Sequence, residues 1–410
     1  MIDDPTFILD FINQSKSTKF NKDRYGEVFT PAVLINEILD NLPTHLWKNL
    51  DLKWLDPCAG RGNFFLLVYG RLMTGLVDSF PNDSERKNHI LSKMLYMNDL
   101  NRKNTEILRS IFGKKANIHC LDFLKISADN NPFVSLFDVI LENPPYQISK
   151  KATYKGGRGN NHTLWNLFIE KSFEILADDG YIGAITPANW RRPGHPLYHS
   201  LIAPNLKYLH IYGKKDGIRL FGAQTRFDLY ILGRKKDLSI TPLIIDEMGV
   251  SHNNIVPLDW EFLPNYSYST VKRFFSLKTS RKGAMSKRNI LYDSNEYNSK
   301  NLSKRRTSKA IYPVVHTMTK KGLGVRWTLK KKGHFGIPKV LLNFNEKLYP
   351  YNDWKGEYGM SQLTFGIPIK TRKEGEALVE KINTPEFKEA IRATKWGSFQ
   401  TDYKMFVYMR

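Results

Sequence analysis

Short apolar runs that alternate with helical patterns are the feature of residues 1–235 that most restricts the possible folds. The runs that predict strands are 54–55, 95–98, 117–120, 137–141, 180–186 and, more amphipathic than the others, 227–232. Apolar residues at helical spacing predict helices over 34–42, 64–72, 104–112 and 164–176. Strands that alternate with helices form a mostly parallel sheet with helices on both faces. We therefore predict an α/β fold, in which ligands bind at the carboxyl ends of the strands.

A shift in composition near residues 236–245 divides the chain into two predicted domains, 1–238 and 239–410. The second part is mixed, with helical patterns over 374–381 and 385–392 and short apolar stretches such as 310–315. This mixture predicts an α+β domain.

Positive charge is concentrated in the second predicted domain. The formal net charge is +22, and residues 271–340 contain 19 Lys and Arg against two acids, Asp293 and Glu296. Aromatic residues are interleaved with these bases, namely Phe274, Phe275, Tyr292, Tyr297, Tyr312, Trp327 and Phe335. Such a surface is typical of contact with a nucleic-acid backbone. The alternative is a generic basic surface that keeps the protein in solution.

Several classes of protein are excluded by composition. No apolar run reaches about 18 residues, so no membrane span is expected. The N-terminus lacks the pattern of a signal peptide, which predicts a cytoplasmic setting. Cys58 and Cys120 are the two cysteines, too few for a disulfide scaffold or a four-thiolate zinc site. We expect no metal.

The first candidate site is the sequence Leu55 to Phe64, which reads LDPCAGRGNF. A strand ends, a turn with Gly60 and Gly62 follows, and a helix begins. Glycines let a ligand approach the backbone closely, and the helix N-terminus offers free N–H groups. The same arrangement also serves as a packing device between a strand and a helix. The spacing differs from the GxGxxG pattern of dinucleotide-binding proteins.

Acids follow the next two predicted strands. Asp99 could accept hydrogen bonds from two ribose hydroxyls, as acids at the end of the second strand do in such folds. Asp122 could accept from an adenine amino group, and the ring of Phe123 could stack on the purine. The alternative for each acid is that it caps the following helix. The glycine turn, Asp99 and Asp122 thus follow three successive predicted strands, and this order favours a nucleoside site.

The most specific motif is Asn143-Pro144-Pro145-Tyr146, which follows the apolar run FDVIL and Glu142. The two prolines fix the backbone so that the Pro144 carbonyl points outward. With the Asn143 side-chain oxygen it can hold an NH2 group and draw the nitrogen toward a nucleophilic, tetrahedral geometry. Tyr146 offers a flat face for a base. A polyproline turn that only closes a strand is the alternative.

These motifs together resemble those of adenine-N6 DNA methyltransferases. Asn143 to Tyr146 resembles the catalytic motif of that family, and Asp56 to Gly62 resembles its cofactor motif. Residues 26–31, GEVFTP, resemble a further motif that precedes it. This order, with a recognition domain last, is similar to the gamma class found in type II restriction-modification systems. The resemblance covers about residues 24–235.

The resemblance implies a Rossmann-like class I methyltransferase domain with a mostly parallel seven-stranded sheet, followed by an α+β target-recognition domain. It implies S-adenosylmethionine as cofactor. The residues that it implies for the cofactor are Phe29, Thr30, Pro31, Asp56, Pro57, Ala59, Gly60, Asp99, Asp122, Phe123 and Asn143. Asn143, Pro144, Pro145 and Tyr146 would hold and stack on the target adenine, with Phe221 or Phe227 at its edge. Arg305, Arg306, Arg326 and Trp327 are the candidates for DNA contact in the basic segment.

A target adenine inside a duplex must flip out of the stack to reach the cofactor methyl group. The expected partner is double-stranded DNA, and the resemblance also implies a separately acting restriction endonuclease or an orphan or phage setting. Residues 150–161, KKATYKGGRGNN, are basic and rich in glycine. They predict either a loop that closes over DNA or a plain connector.

Three other functions use related sequences. The four-residue motif also occurs in enzymes that methylate glutamine amides of proteins, which would need a small N-terminal helical domain and no large basic C-terminal one. Methylation of RNA adenine is an open alternative. A DNA-binding module with an inactive methyltransferase fold is the third, and failure to bind the cofactor would identify it.

Overall fold

The computed structural model describes residues 2–14, 28–126, 136–147, 163–235, 241–277, 289–292, 298, 302–332, 334–345, 347–397 and 400–410. The chain forms two compact units. The N-terminal unit contains residues 1–188 and 199–256, and the C-terminal unit contains residues 189–198 and 257–410. Composition predicts a change at residue 238, whereas the units divide near 256 because residues 243–252 pair with the N-terminal sheet.

The N-terminal unit alternates strands and helices. Its helices are α1 (Pro5–Gln14), α2 (Ala32–Asp40), α3 (Asn63–Gly75), α4 (Asp83–His89), α5 (Arg102–Phe112), α6 (Trp165–Glu174) and α7 (Lys214–Phe221). Its strands are β1 (Trp54–Asp56), β2 (Leu95–Asn98), β3 (Asn117–His119), β4 (Phe137–Glu142), β5 (Leu176–Pro187), β6 (Leu206–Tyr212), β7 (Phe227–Gly233), β8 (Leu243–Ile245) and β9 (Ser251–His252). The predicted α/β class is confirmed.

The strands form one sheet in the order β3-β2-β1-β4-β5-β7-β6-β8-β9. Among the first seven strands, β7 runs antiparallel to its neighbours β5 and β6, and the other pairs are parallel. The predicted mostly parallel, seven-stranded sheet is therefore present, and β8 and β9 extend it at one edge. In the described residues no helix is long and apolar enough to cross a bilayer.

Two strands differ from the sequence prediction. The run at 227–232 was expected to be amphipathic, yet all seven residues of β7 are buried, because this strand lies between β5 and β6 within the sheet. The strand β6 is absent from the predicted set. Its sequence, LKYLHIY, places Lys207 and His210 among apolar residues, and both are half-exposed.

The parallel pairing brings the ends of four strands to one edge of the sheet. Asp56 at the end of β1 pairs with Met97 of β2, and Asn98 pairs with His119 of β3. On the other side of β1, Leu55 pairs with Ile140 of β4. The residues that follow these strands therefore lie along the same edge, where α/β proteins bind ligands.

The C-terminal unit is an α+β assembly, as predicted. Its helices are α8 (Tyr268–Phe274), α9 (Arg372–Asn383) and α10 (Pro385–Ala393). Its strands are β10 (Tyr312–Thr319), β11 (Gly322–Thr328), β12 (Lys339–Asn343), β13 (Tyr351–Asp353), β14 (Gly359–Met360) and β15 (Thr364–Pro368). They form two three-stranded sheets, β11-β10-β14 and β13-β12-β15. A buried ion pair of 2.7 Å between Lys339 and Asp353 joins β12 to β13.

Residues 189–198 belong to the C-terminal unit although the chain on both sides of them belongs to the N-terminal unit. Arg191 explains this placement. Its buried guanidinium donates to the carbonyls of Leu263 and Pro264 and to the side chain of Asn265, at 2.9–3.1 Å. A buried charge is tolerated when all its donors find partners of this kind.

Candidate active site

The turn after β1 adopts a conformation that needs glycine. Gly60 and Gly62 have φ angles of +55° and +90°, in the left-handed region that L side chains rarely occupy. A Cβ atom on Gly60 would lie 3.2 Å from the ring of Phe29, and one on Gly62 would lie 2.7 Å from Phe112. These glycines let the turn pack closely against Phe29 and Phe112, which is the packing role that the sequence left open as the alternative.

The segment Phe29-Thr30-Pro31 is held between this turn and the four-residue motif. Asn63, the first residue of α3, donates to the Thr30 carbonyl at 3.1 Å, and the amide of Asn143 donates to the Thr30 hydroxyl at 3.1 Å. Three motifs that the sequence separates by up to about a hundred residues thus meet at Thr30. Gly26 and Glu27, which begin the first motif, lie outside the described residues.

Asp99 is fixed by several donors at the end of β2. Its carboxylate accepts from the backbone N–H of Gly60 at 2.8 Å and from that of Asn101 at 2.7 Å. The amide of Asn104 on α5 contributes a third contact at 3.3 Å. The carboxylate thus anchors the glycine turn and holds Asn101, whereas the N-cap of α5 is Asn101 itself, whose side chain accepts from Lys103 N–H at 3.2 Å. The ribose contact remains a prediction.

Asn98 is a site residue that the sequence prediction missed. Its amide donates to the carbonyls of Pro57 and Leu121, at 3.0 and 3.1 Å, and its oxygen accepts from Leu121 N–H at 3.1 Å. One buried side chain thereby ties together the turns after β1 and β3. A polar residue that ends the apolar run LYMN was the available signal.

The end of β3 differs from the expectation for an adenine pocket. Phe123 is 2% exposed and packs on Phe168, with ring centroids 5.4 Å apart, so its ring is not an open stacking surface. Asp122 forms an ion pair with Lys125 at 3.1 Å. Leu100 and Leu121 are instead exposed, at 59% and 36%, directly after Asp99 and before Asp122. They offer apolar area that the sequence prediction did not identify.

The four-residue motif follows the buried strand β4. Pro144 is buried, whereas Asn143, Pro145 and Tyr146 are half-buried. The carbonyl of Tyr146 accepts from Leu164 N–H at 3.2 Å, just before α6. Burial and the nearby carboxylate of Asp228 raise the pKa of the Tyr146 hydroxyl, so it stays neutral. Residues 150–161, the predicted loop, lie outside the described residues.

Acids accumulate beneath this edge of the sheet. Asp56 and Glu142 are buried, and burial raises the pKa of both, to about 8 for Glu142 and well above its usual range for Asp56. The thiol of Cys58 has a pKa raised by burial and then by Asp56, Glu142 and Asp99. The cysteine is thus a neutral packing group, as expected, and not a nucleophile.

The two aromatic residues proposed for the edge of the target base are packing residues in this structure. Phe227 is fully buried and stacks on Tyr212 with centroids 4.7 Å apart. Phe221 contacts Phe227 edge to face at 5.0 Å. Phe227 therefore offers no face to a base.

Basic side chains from the flanking segments lie beside the aromatic rings of the β10–β11 hairpin in the C-terminal unit. Ser303 and Trp327 exchange two backbone hydrogen bonds, and the guanidinium of Arg306 lies 5.5 Å from the Trp327 ring. Lys331 lies 5.5 Å from the ring of Tyr312. Arg305 and Arg306 are exposed, and Arg326 is half-exposed. Tyr297 lies outside the described residues.

A cavity of about 580 Å³ lies elsewhere in the C-terminal unit. The aromatic rings of Tyr292, Phe344 and Tyr403 line it together with the cations Arg192 and Lys404. Rings beside cations are typical of surfaces that stack single-stranded bases. Neither cation was among the predicted residues, because nothing in the local sequence separates them from other surface bases.

The fold and the site define a class. The strand order of the sheet, with β7 antiparallel, the glycine turn after β1 and the Asn-Pro-Pro-Tyr motif after β4 agree with the class I methyltransferase fold that the sequence resemblance implies. Asp99 and the exposed apolar side chains of Leu100 and Leu121 are the groups at these strand ends that suit a nucleoside.

Comparison with known proteins confirms the predicted family resemblance. Residues 64–213 match the family described as Eco57I restriction-modification methylase. An uncharacterized adenine-specific methylase of Mycoplasma pneumoniae is 27% identical, over 43% of this chain and 58% of that protein. The type II methyltransferase M.XhoI of Xanthomonas vasicola is 24% identical, over 47% and 39%. The chain thus spans about half the length of the curated relatives that it matches.

A solved structure shows the same fold over most of the chain. The type IIL restriction-modification enzyme MmeI, in complex with DNA, superposes with a TM-score of 0.56 at 11% identity. The match covers 92% of this chain and 67% of MmeI.

Proposed function

We propose that the protein is a site-specific DNA methyltransferase that transfers a methyl group from S-adenosylmethionine to the N6 amino group of a flipped adenine. The observation that carries this proposal is the position of Asn143 to Tyr146, at the end of β4 and bonded to Thr30 beside the glycine turn. The Asn143 side-chain oxygen and the Pro144 carbonyl supply two acceptors for an amino group at the edge where α/β proteins bind nucleosides.

The hydrogen bond from Asn143 determines which of its atoms meets the substrate. Because the amide nitrogen donates to Thr30, the amide oxygen is left as the acceptor for an amino group. Together with the Pro144 carbonyl it holds the adenine NH2 in a fixed position. Orientation of this kind supplies a large share of the barrier reduction in a transfer between two bound molecules.

The chemistry requires no strong base from the chain. The cofactor supplies an electrophilic methyl group on a sulfonium, and the adenine nitrogen supplies the electron pair. The new N–C bond forms as the S–C bond breaks, and the nitrogen then releases one proton to solvent. Asn143 and Pro144 stabilise the positive charge that develops on the amino group during this step.

DNA is the substrate that the second unit supports. Residues 271–340 carry 17 of the 22 net positive charges, and Arg305 and Arg306 are exposed beside the half-exposed Trp327. Phosphate contacts by such bases would offset the few kcal/mol that base flipping costs. The DNA complex of MmeI, a structure with the same fold, supports this assignment. A cytoplasmic location and a separate cognate restriction endonuclease fit the same proposal.

The decisive test is transfer of labelled methyl from S-adenosylmethionine to unmethylated genomic DNA, followed by nucleoside analysis. N6-methyladenine from the wild type and none from Asn143→Ala is the expected result. Label in structured RNA or in protein, with none in DNA, would retain the fold and change the substrate. Absence of cofactor binding would identify an inactive DNA-binding module.

A further inference from the structure

Glu142 is a buried acid that the proposed reaction does not use. It is the last residue of β4 and directly precedes Asn143, and its side chain is 0% exposed. Neither carboxyl oxygen makes a hydrogen bond of normal geometry with the described residues. Ser172 on α6 lies close enough to favour the ionised form slightly, but its hydroxyl is equally unbonded. A buried acid without partners is costly, so its presence calls for a reason.

The groups around Glu142 make the cost larger. Asp56 and Cys58 after β1 and Tyr230 on β7 all have pKa values that the Glu142 charge raises. Asp99 acts on Asp56 and Cys58 in the same direction. Within the described residues, no Lys or Arg contributes to the pKa of Asp56 or Glu142. Among the described residues, neither Asp56 nor Glu142 therefore has a Lys or Arg to balance its charge.

A ligand can supply the missing cation. Opposite charges stabilise the ionised form of an acid, and like charges with burial suppress it. S-adenosylmethionine carries one more positive charge than its thioether product, and that charge is on the sulfur beside the transferred methyl group.

We propose that Glu142 is a positioning residue that makes the site selective for the cationic cofactor over its neutral thioether product. In the free site Glu142 is protonated, and entry of the cofactor expels that proton to solvent, so that the carboxylate offsets the added positive charge. Loss of the methyl group removes the positive charge, Glu142 takes a proton back, and the product is released more easily. This inference rests on the proposed function, because it assumes S-adenosylmethionine as the ligand.

The pH dependence of cofactor affinity follows from the burial of Glu142, which raises its pKa. Below a pKa of about 8 the free site holds the proton, so cofactor binding releases it and affinity rises with pH. The rise is at most tenfold for each pH unit and ends above pH 8, where the proton is already lost. Binding of the thioether is expected to be flat over the same range.

Titration calorimetry can measure how many protons are released when the ligand binds. S-adenosylmethionine and S-adenosylhomocysteine are titrated into the full chain near pH 7, in buffers of low and high ionisation enthalpy. We expect the wild type to release close to one proton with the first ligand and almost none with the second. Glu142→Gln mimics the protonated acid in size and charge, and it should release none and lose the pH-dependent preference.

Two further variants make the assignment specific. Asp56→Asn tests the other buried acid, and Glu106→Gln removes an exposed acid that pairs with Arg102 on α5. Proton release that persists in Glu142→Gln, or that disappears only in Asp56→Asn, would overturn the proposal. Binding of both ligands to the wild type with equal proton change would overturn it while leaving the proposed function intact. Binding of neither would overturn the proposed function, and this inference with it.

Discussion

The ligand edge of the N-terminal sheet and the hairpin of the C-terminal unit differ in how their polar groups are held. At the edge, Asp99, Asn98 and Asn143 are each fixed by hydrogen bonds to neighbouring turns. In the segment before β10, Arg305 and Arg306 are exposed, and the Arg306 guanidinium lies 5.5 Å from the ring of Trp327 on the hairpin. Fixed groups suit a reaction in which atoms must align, whereas exposed cations suit phosphates that differ little in position between sequences.

Charge separates the two regions in the same way. The edge contains buried acids, Asp56 and Glu142, and the hairpin belongs to the most basic part of the chain. The buried acids of the edge therefore suit a cationic ligand, and the basic segment suits a polyanion. Substitutions at the edge should change the chemical step, and substitutions on the hairpin should change DNA affinity and its salt dependence.

The largest effect is expected for Asn143→Ala. Removal of the amide takes away one acceptor of the target amino group and the hydrogen bond to Thr30. We expect kcat to fall by about 10²–10³-fold or more, the range for loss of one oriented polar group. Single-turnover transfer measures it, and filter binding should show unchanged DNA affinity. An equal loss of DNA affinity would contradict the division between the two regions.

Gly60→Ala should weaken the cofactor site next. The substitution places a side chain at a φ of +55° and within 3.2 Å of Phe29. If the free protein relieves this strain of about 1–3 kcal/mol by shifting the turn, cofactor binding must restore it, and affinity falls by roughly 5- to 150-fold. Equilibrium dialysis with S-adenosylmethionine measures the change. Gly113→Ala is the matched control, because its φ is +89° but a Cβ there meets nothing within 4 Å.

Glu142 predicts a pH effect on stability in the absence of cofactor. Its pKa of about 8 in the folded protein lies above its usual value of 4.5, so its contribution to stability is present at low pH and is lost as pH rises through 8. Between pH 7 and pH 9 the loss is about 1.4 kcal/mol. Urea unfolding at the two pH values measures it. The difference in the free energy of unfolding between the wild type and Glu142→Gln should change with pH in the same way. A difference that is the same at both pH values would contradict the assignment.

Arg306→Ala should have the smallest effect. The exposed guanidinium is a candidate phosphate contact, so DNA affinity should fall a few-fold for all sequences. The slope of log affinity against log salt should decrease by about 1. Lys373→Ala, an exposed base on α9, serves as the control of equal charge. A change in the methylated sequence instead of the salt slope would indicate that Arg306 reads a base.

The sequence predicts those parts of the site that follow from local order. An apolar run that ends in a polar residue predicts a strand end, and that rule locates Asp56, Asp99 and Asn143 on one edge. This rule cannot predict which side chains near a strand end are buried in the core. Phe123 follows a strand end and Phe227 is implied by the family resemblance, yet the structure buries them against Phe168 and Tyr212, because their environment is set by helices and strands distant in sequence.

Long-range pairing also explains the elements that the sequence prediction missed. The strand β6 carries polar residues at half-exposed positions, and pairing with β7 on one side and β8 on the other stabilises it. Asn98 connects turns 23 and 41 residues away. The composition shift near residue 238 likewise marks where long apolar runs end. It does not mark the end of the sheet, because β8 and β9 come after it.

The path of the chain at Arg191 has a consequence for exchange of specificity between related enzymes. In a graft with one junction at residue 256, Arg191 would come from the recipient protein. Its three acceptors, Leu263, Pro264 and Asn265, would be replaced by residues of the donor. The ten residues 189–198 must therefore travel with residues 257–410. A recombination event that replaces the second unit and retains residues 199–256 needs three crossovers, after residues 188, 198 and 256, where a simple tandem order of modules would need one.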